Sequence, residues 1–353
     1  PQTQANIAHL RESSSYRIAG PAVGPLAYGE GEGPGRMLEP AEIIEEVGRA
    51  LVTLSPLEGK RVLVTAGPTR EAIDPVRYLG NRSSGRMGFA LAAAAWRRGA
   101  EVRVVSGPVA LQDPHGVEVL RVETAQEMFD EVSEGLPEAD VSIFASAVAD
   151  FRPADPSKRK LKRAGVGPEL ALSLTENPDV AGGTRGRRKR GSIVVGFALE
   201  TRSLLENSQK KLEAKDFDLL VANDATEEGA GFEVDTNRVT LLTPGKPNEE
   251  LPLLSKDEVA EIILDRITGF VEKPPPGTAP SDLINAGVWV FEPEIVDEIP
   301  SGAVRVEETL FPSLVGRGPG VLGYRFDGLW ADLGTPASYL ELCVAVARRT
   351  GMP

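Results

Sequence analysis

Between Arg61 and Ile267 the sequence alternates between short apolar runs and longer helical patterns. The runs at 61–66, 101–106, 117–123, 141–146, 193–198 and 218–223 have the length and composition of buried strands. The segments at 85–100, 125–136, 204–212 and 256–267 have the spacing or alanine content of helices. Strands that alternate with helices build a mainly parallel sheet covered on both faces. We therefore predict an α/β, Rossmann-like fold for this part of the chain.

Composition breaks divide the 353 residues into three parts. Residues 1–55 form a leading segment, of which 1–38 are rich in glycine and are predicted to be irregular. Residues 56–268 form the α/β domain. A proline-rich stretch at 270–282 then precedes a new apolar strand at 285–291, so residues 269–353 are predicted to be a separate, partial α/β segment.

Charge and composition exclude several classes of function. The net charge of −13 disfavours nonspecific binding to nucleic acid or to an anionic membrane. The single cysteine, Cys343, cannot form an internal disulfide or a thiolate metal site, and His9 and His115 have no ligand spacing. No apolar run approaches the roughly 18 residues of a membrane span, and no secretory signal is present, which predicts a cytoplasmic protein.

The segment 65–88, which leaves the first strand and enters a helix, is suited to binding an anion. Ser83, Ser84 and Gly85 directly precede a predicted helix, where backbone N–H groups and the helix dipole favour negative charge. Arg77 and Asn81 add a guanidinium and an amide that suit a carboxylate or phosphate. An ordinary turn with surface arginines fits this loop equally well. Neither G-x-G-x-x-G nor G-K-[ST] occurs here.

Two further loops carry candidate nucleotide ligands. In 145–151, small residues such as Ala147 let a ring or ribose approach the backbone, and Asp150 can hold a metal or a ribose hydroxyl. In 157–163, Lys160 and Lys162 suit a polyphosphate. Taken singly, a packed strand end and a solvated charge run explain these loops better, and the run at 185–190 is interpreted as solvated.

The ordered series TAGPTRE, DPVRYLGNRSSGRMG, ASAVADF, KLKR, NPD, VGFALET and ANDA resembles phosphopantothenate–cysteine ligase, the second domain of the bacterial bifunctional coenzyme A biosynthesis protein. The resemblance covers 56–268. It implies that the carboxylate of 4′-phosphopantothenate attacks CTP to give an acyl-cytidylate, and that the amine of L-cysteine then displaces CMP. It also implies Mg²⁺ and a homodimer in which one subunit covers its partner's site. The residues themselves do not distinguish CTP from ATP.

The resemblance assigns roles by motif position. Asn81 holds the acyl-nucleotide, and Arg77 lies on the substrate carboxylate or phosphate. Ala147, Asp150 and Phe197 contact the substrate or the nucleotide, Asp150 also taking the metal. Lys160 serves the second step, and an arginine, Arg163, stands where the family has a lysine, which leaves its role open.

Both ends resemble parts of other enzymes. Residues 1–38 resemble the tail of phosphopantothenoylcysteine decarboxylase, but Tyr28 replaces the family's cysteine and the flavin-binding body is missing, so we expect no FMN and no decarboxylation. Residues 269–353 resemble a fragment of a sugar-phosphate nucleotidyltransferase. The residues matching that family are Glu272 and Lys273 for the sugar phosphate, Asn285 for the sugar and Asp332 for Mg²⁺. The glycine-rich pyrophosphorylase loop is absent, so this fragment is predicted to be inactive.

Two alternatives to the ligase remain open from the sequence. The first is that the chain is a sugar nucleotidyltransferase fragment, and the second is that it is a non-catalytic remnant of the decarboxylase/ligase. The presence of Arg77, Asn81, Asp150 and Lys160 favours the ligase.

Overall fold

The computed structural model describes residues 2–13, 17–25, 31–52, 57–162, 169–227, 229, 234–268, 293–296, 298, 299, 310 and 314. The chain divides into two compact units, Pro1–Pro280 and Ser281–Pro353. In the second unit, Leu310 and Leu314 are buried and pack against Ile295 and Ile299. The predicted nucleotidyltransferase residues Glu272, Lys273, Asn285 and Asp332 lie outside the described residues, as do Tyr28 and Arg163.

The described helices are α1 Gln2–Ser13, α2 Pro40–Leu51, α3 Arg86–Arg97, α4 Ala125–Gly135, α5 Val180–Gly183, α6 Leu204–Lys215, α7 Lys256–Thr268 and α8 Pro293–Val296. The described strands are β1 Ala22–Pro25, β2 Glu32–Arg36, β3 Arg61–Ala66, β4 Arg70–Ala72, β5 Tyr78–Gly80, β6 Glu101–Ser106, β7 Glu118–Arg121, β8 Val141–Phe144, β9 Phe151–Pro153, β10 Leu174–Glu176, β11 Ile193–Glu200, β12 Leu219–Asp224, β13 Thr236–Asn237, β14 Thr240–Leu242, β15 Glu249–Glu250 and β16 Leu254–Ser255. None of the described helices is long and apolar enough to cross a bilayer.

The central sheet has eight strands in the order β15-β14-β12-β11-β8-β3-β6-β7. The six strands from β12 to β7 are parallel, and β14 and β15 continue the sheet antiparallel. The chain starts at β3, moves outward to β6 and β7, and then returns to the other side of β3 at β8. This reversal creates a crevice at the carboxyl ends of β3 and β8, which is where open α/β sheets bind ligands. The predicted α/β, Rossmann-like fold is confirmed.

Helices cover both faces of this sheet, which explains the continuous apolar strands. Val62 and Val64 of β3 belong to a core that contains α3 and α7, whereas Leu63 between them belongs to a second core with α4 and α6. On the first face, the buried guanidinium of Arg98 joins α3 to α7 through hydrogen bonds to the carboxylates of Glu261 and Asp265.

The prediction that residues 1–38 are irregular is wrong. They contain α1 and the antiparallel hairpin of β1 and β2. Of the glycines that suggested a loop, Gly31 has a φ of +76°, which glycine adopts at little cost, whereas Gly33 and Gly35 lie within β2. Helix α1 has no apolar face that periodicity would reveal.

Two small hairpins, β4–β5 and β9–β10, lie side by side, with β4 against β9. We call these four strands, with the turn 73–77, the hairpin platform. It exposes large apolar side chains, with Val76 59 %, Tyr78 51 %, Phe151 49 % and Leu174 47 % exposed. An apolar surface of this kind commonly marks a site of association.

Candidate active site at the carboxyl ends of the strands

A cavity of about 470 Å³ lies at the carboxyl ends of β8, β11 and β12 and at the start of α3. Seven of the predicted site residues line it, namely Asn81, Ser83, Ser84, Gly85, Ala147, Asp150 and Phe197. Another cavity of about 470 Å³ lies near the amino ends of β3 and β6. Most of its charged side chains pair with one another, as Arg61 does with Glu138 and Arg103 with Glu118. We therefore assign the candidate site to the first cavity, at the edge where parallel sheets bind ligands.

Three glycines allow the start of α3 to pack closely against the end of β3. Gly67 follows β3 with φ +73°, and Gly85 precedes α3 with φ +79°. A Cβ atom on Gly88 would lie 2.6 Å from Cβ of Ala66. The first N–H groups of a helix have no intrahelical acceptors, and Arg86, Met87 and Gly88 of this first turn line the cavity. This turn provides donors for an anion such as a phosphate.

Asn81 fixes the far wall of the cavity. Its Nδ2 donates hydrogen bonds of 3.0 Å to the carbonyl oxygens of both Ala147 and Val148. Two buried threonines, neither of them predicted as a site residue, form hydrogen bonds to the same wall. The Oγ of Ser146 donates to Oγ1 of Thr65 at 2.8 Å, and the N–H of Ala149 donates to Oγ1 of Thr69 at 2.9 Å.

Asp150 is exposed at the mouth of the cavity. Asn177, which was not predicted as a site residue, supports it, because its N–H donates to the carbonyl of Asp150 at 2.8 Å and its Nδ2 donates to the carbonyl of Ala149 at 2.7 Å. Within the part of the chain that the structure describes, no three or more His, Cys, Asp or Glu residues form a group that could hold a metal ion.

Two lysines on α6, neither of them predicted as a site residue, also line the cavity. Nζ of Lys211 donates to the carbonyl of Phe197 at 2.9 Å, and Nζ of Lys215 donates to Asp179 at 2.7 Å. Burial, and then the nearby Lys215 ammonium, lower the pKa of Lys211. Spacing of four residues on one helix face was the available signal, because it directs both side chains to the same side.

On the opposite wall, Lys256 and Asn237 are both buried, at 7 % and 4 % exposed. Burial, and then the charge of Arg86, lower the pKa of Lys256. No donor among the described residues forms a hydrogen bond with the Oδ1 atom of Asn237. A buried acceptor without a donor is costly unless a ligand or water satisfies it. The cavity therefore carries positive groups on two walls and an unsatisfied acceptor on one of them.

Arg77, Lys160 and Lys162 do not line the cavity of their own chain. Arg77 belongs to the hairpin platform and bonds to Asp74, and Lys160 and Lys162 are exposed on the segment that follows β9. Their predicted roles therefore remain predictions, whereas the other seven residues are grouped around one space.

Residues 57–270 match the family model described as the DNA/pantothenate metabolism flavoprotein C-terminal domain. Residues 240–349 match a second model, for a nucleotidyl transferase. A coenzyme A biosynthesis bifunctional protein from Vibrio vulnificus is 44 % identical over 265 residues, which are 75 % of this chain and 65 % of the relative. A protein named cysteine/cysteine sulfinic acid decarboxylase, from an unknown prokaryotic organism, is 42 % identical over 276 residues, 77 % of this chain and 76 % of that protein.

Among solved structures, the crystal structure of the C-terminal domain of a coenzyme A biosynthesis bifunctional protein is 41 % identical. The match has a TM-score of 0.51 and covers 61 % of this chain and 96 % of that domain. The chain thus spans about two-thirds of the length of the Vibrio relative, and its likeness to this solved structure lies in a single domain of the bifunctional protein.

Proposed function

Because this chain belongs to the DNA/pantothenate metabolism flavoprotein C-terminal domain family, we propose that residues 57–270 couple a carboxylic acid to an amine through an acyl-nucleotide. The proposed acid is 4′-phosphopantothenate, the amine is that of L-cysteine, and the nucleotide is CTP. The main support from the molecule is that Asn81, Asp150 and Phe197, far apart in sequence, line one cavity beside the start of α3.

In the first step, a carboxylate oxygen attacks the α-phosphate and pyrophosphate leaves. The anionic nucleotide needs positive groups around it, and the first turn of α3 together with Lys211 and Lys215 supplies them. Asn81 holds the 147–148 backbone rigid through its two hydrogen bonds, so the acid can be kept in line with the phosphate. In the second step, the amine attacks the acyl carbon and CMP leaves with the bonding electrons.

Mg²⁺ fits this site as part of the bound triphosphate. Magnesium is usually held by one or two carboxylates together with substrate phosphates and water, and Asp150 is an exposed carboxylate on the cavity wall. The ion would neutralise charge on the phosphates.

The direct test incubates the whole chain with 4′-phosphopantothenate, cysteine, CTP and MgCl₂. We expect pyrophosphate and the amide in equal amounts, and pyrophosphate only up to the enzyme concentration when cysteine is left out. Parallel reactions with ATP identify the nucleotide. The proposal fails if no amide forms with any nucleoside triphosphate.

We also propose that the chain is a homodimer whose active site is shared between subunits. The hairpin platform exposes Val76, Tyr78, Phe151 and Leu174 beside Arg77, and burial of these apolar side chains would stabilise association with a second copy. Sharing would explain why Arg77 and Lys160 lie outside the cavity of their own chain.

Subunit mixing tests the shared site. Asn81→Asp and Lys160→Ala chains, each expected to be strongly impaired alone, are unfolded together, refolded and assayed. If each site combines the two residues from different chains, half of the sites in a mixed dimer carry neither change and the rate rises well above that of either variant. If both residues act within one chain, every site carries one change and the mixture stays as impaired as the variants.

The match of 240–349 to a nucleotidyl transferase supports a second candidate for that segment only. We propose that it is inactive, because the sequence contains no glycine-rich pyrophosphorylase loop. Incubation with sugar 1-phosphates and each nucleoside triphosphate should yield no nucleotide sugar. The absence of bound FMN likewise remains a prediction, which the visible absorption spectrum of the purified chain checks.

A further inference from the structure

Asp74 is a buried carboxylate, 3 % exposed, in the turn of the hairpin platform. Its Oδ1 accepts hydrogen bonds from the N–H groups of Val76 at 2.8 Å and Arg77 at 3.0 Å. Its Oδ2 accepts from Nε of Arg77 at 3.0 Å, and also from Nη2 of the same side chain. These contacts alone would describe a local turn closed by an ion pair.

Oδ2 of Asp74 makes one further contact, to a distant segment. It accepts a hydrogen bond of 3.0 Å from the N–H of Leu161, which stands between Lys160 and Lys162. The Nη2 of Arg77 donates in turn to the carbonyl of Leu161 at 2.8 Å. Both backbone groups of Leu161 are therefore held by the Asp74–Arg77 pair, and the N–H of Ser157 donates to the carbonyl of Ile73 at 2.9 Å beside them.

This arrangement requires a carboxylate at position 74. All five neighbours are donors, and an ionised carboxyl group is an acceptor only, whereas an asparagine would direct its own NH₂ at one of those donors. The Arg77 side chain, and then the N–H of Leu161, hold the pKa of Asp74 well below its usual range, so the carboxylate is ionised at neutral pH.

We propose that Asp74 is a positioning residue that fixes Arg77 and the Lys160 segment to each other. The inference rests on the ligase function proposed above. Arg77 is joined by β5 to Asn81, the residue assigned to acyl-nucleotide formation, and Lys160 is assigned to the coupling step. Asp74 thus fixes the positions of groups assigned to both steps relative to each other. A displacement of such groups by about 1 Å can lower the rate about 100-fold.

The test is Asp74→Asn in the whole chain, with Asp155→Asn as the matched control, because Asp155 is an exposed aspartate on the segment that also carries Lys160. Single-turnover reactions follow pyrophosphate, acyl-cytidylate and amide separately. For Asp74→Asn we expect both steps to slow, with acyl-cytidylate accumulating because the Lys160 segment has lost its anchor. For the control we expect the time course of the unchanged protein.

A double-mutant cycle separates positioning from folding. If Asp74 acts through Lys160, adding Asp74→Asn to Lys160→Ala should slow the coupling step by less than about twofold, since coupled residues are not additive. Full additivity, or a loss of activity that matches only the loss of folded protein with no accumulating intermediate, overturns the inference.

Arg77→Lys provides a second route if Asp74→Asn does not fold. Lysine keeps the charge but lacks the planar guanidinium that bonds Asp74 and the carbonyl of Leu161 at the same time. Acyl-cytidylate should therefore also accumulate in reactions of this variant. Amide formation at the unchanged rate by Arg77→Lys overturns the inference. A wild-type chain that forms no amide instead overturns the proposed function, so the two failures are distinguishable.

Discussion

Replacing Asn81 by aspartate is the most informative single change. The Nδ2 atom of Asn81 donates two 3.0 Å hydrogen bonds, to the carbonyls of Ala147 and Val148, and an aspartate would place an acceptor against both oxygens. At about 1 kcal/mol for each hydrogen bond, their loss removes about 2 kcal/mol that holds the 147–148 backbone in place for the reaction. Since 1.36 kcal/mol is tenfold in rate, about 30-fold is lost before electrostatics is counted. The new negative charge beside an anionic substrate raises the expected loss to about 100-fold or more.

The assay for this change is the initial rate of pyrophosphate release at saturating CTP. Asn248→Asp is the control, because it adds the same charge at an exposed position that does not line the cavity, and it should leave the rate unchanged. The loss of two hydrogen bonds should lower the thermal unfolding temperature of Asn81→Asp by no more than about 4–8 °C, and Asn248→Asp should leave it unchanged. Asn81→Asp with the wild-type rate would refute the assignment of Asn81 to the reacting groups.

Three other changes test the site and the fold. Gly88→Ala should lower the free energy of unfolding in urea by about 1–3 kcal/mol, since its Cβ would lie 2.6 Å from another Cβ; Gly186→Ala, with no atom within 4 Å, should not. Burial lowers the pKa of Lys211, so CTP affinity should fall as pH rises through values below about 10.4, the ordinary lysine pKa, and Lys211→Arg should move that fall to higher pH. Arg98→Met should lower the free energy of unfolding in urea by about 2 kcal/mol, because Glu261 of α7 loses its ion pair with the end of α3. An unchanged free energy of unfolding would mean that hydration of the separated groups offsets the loss of this ion pair.

The central sheet could be predicted because its strands are buried on both faces. The runs 61–66 and 101–106 match β3 and β6 residue for residue, since apolar side chains are needed on each side of the sheet. Thr124 directly precedes the predicted helix at 125–136 and caps α4, since its side chain accepts from the N–H of Glu127 while Glu127 completes the capping box. The short strands of the hairpin platform were missed, because three-residue strands exposed on one side leave no periodic signal.

Parts of the site could be predicted because they stand at strand ends. Asn81 lies on the long loop that leaves β3, Ala147 and Asp150 lie on the loop that leaves β8, and strand ends of a parallel sheet meet at one edge. Lys256 and Asn237 could not be predicted in this way. They reach the cavity from the β13–β16 and α7 region, beyond the sheet, and only packing shows that their polar atoms are buried there.

The start of α3 forms a candidate anion site without a G-x-G-x-x-G motif. In that motif the first glycine makes the turn after a strand and the last lets a helix pack closely on it. Gly67 and Gly88 occupy those two structural positions, with Gly85 between them at the helix start. The segment 68–84 is inserted after the first glycine, and it carries Arg77 and Asn81. We therefore propose that the turn serves the nucleotide and that the segment 68–84 serves the acid, so that changes at Gly88 should act on nucleotide affinity and changes at Asn81 on turnover.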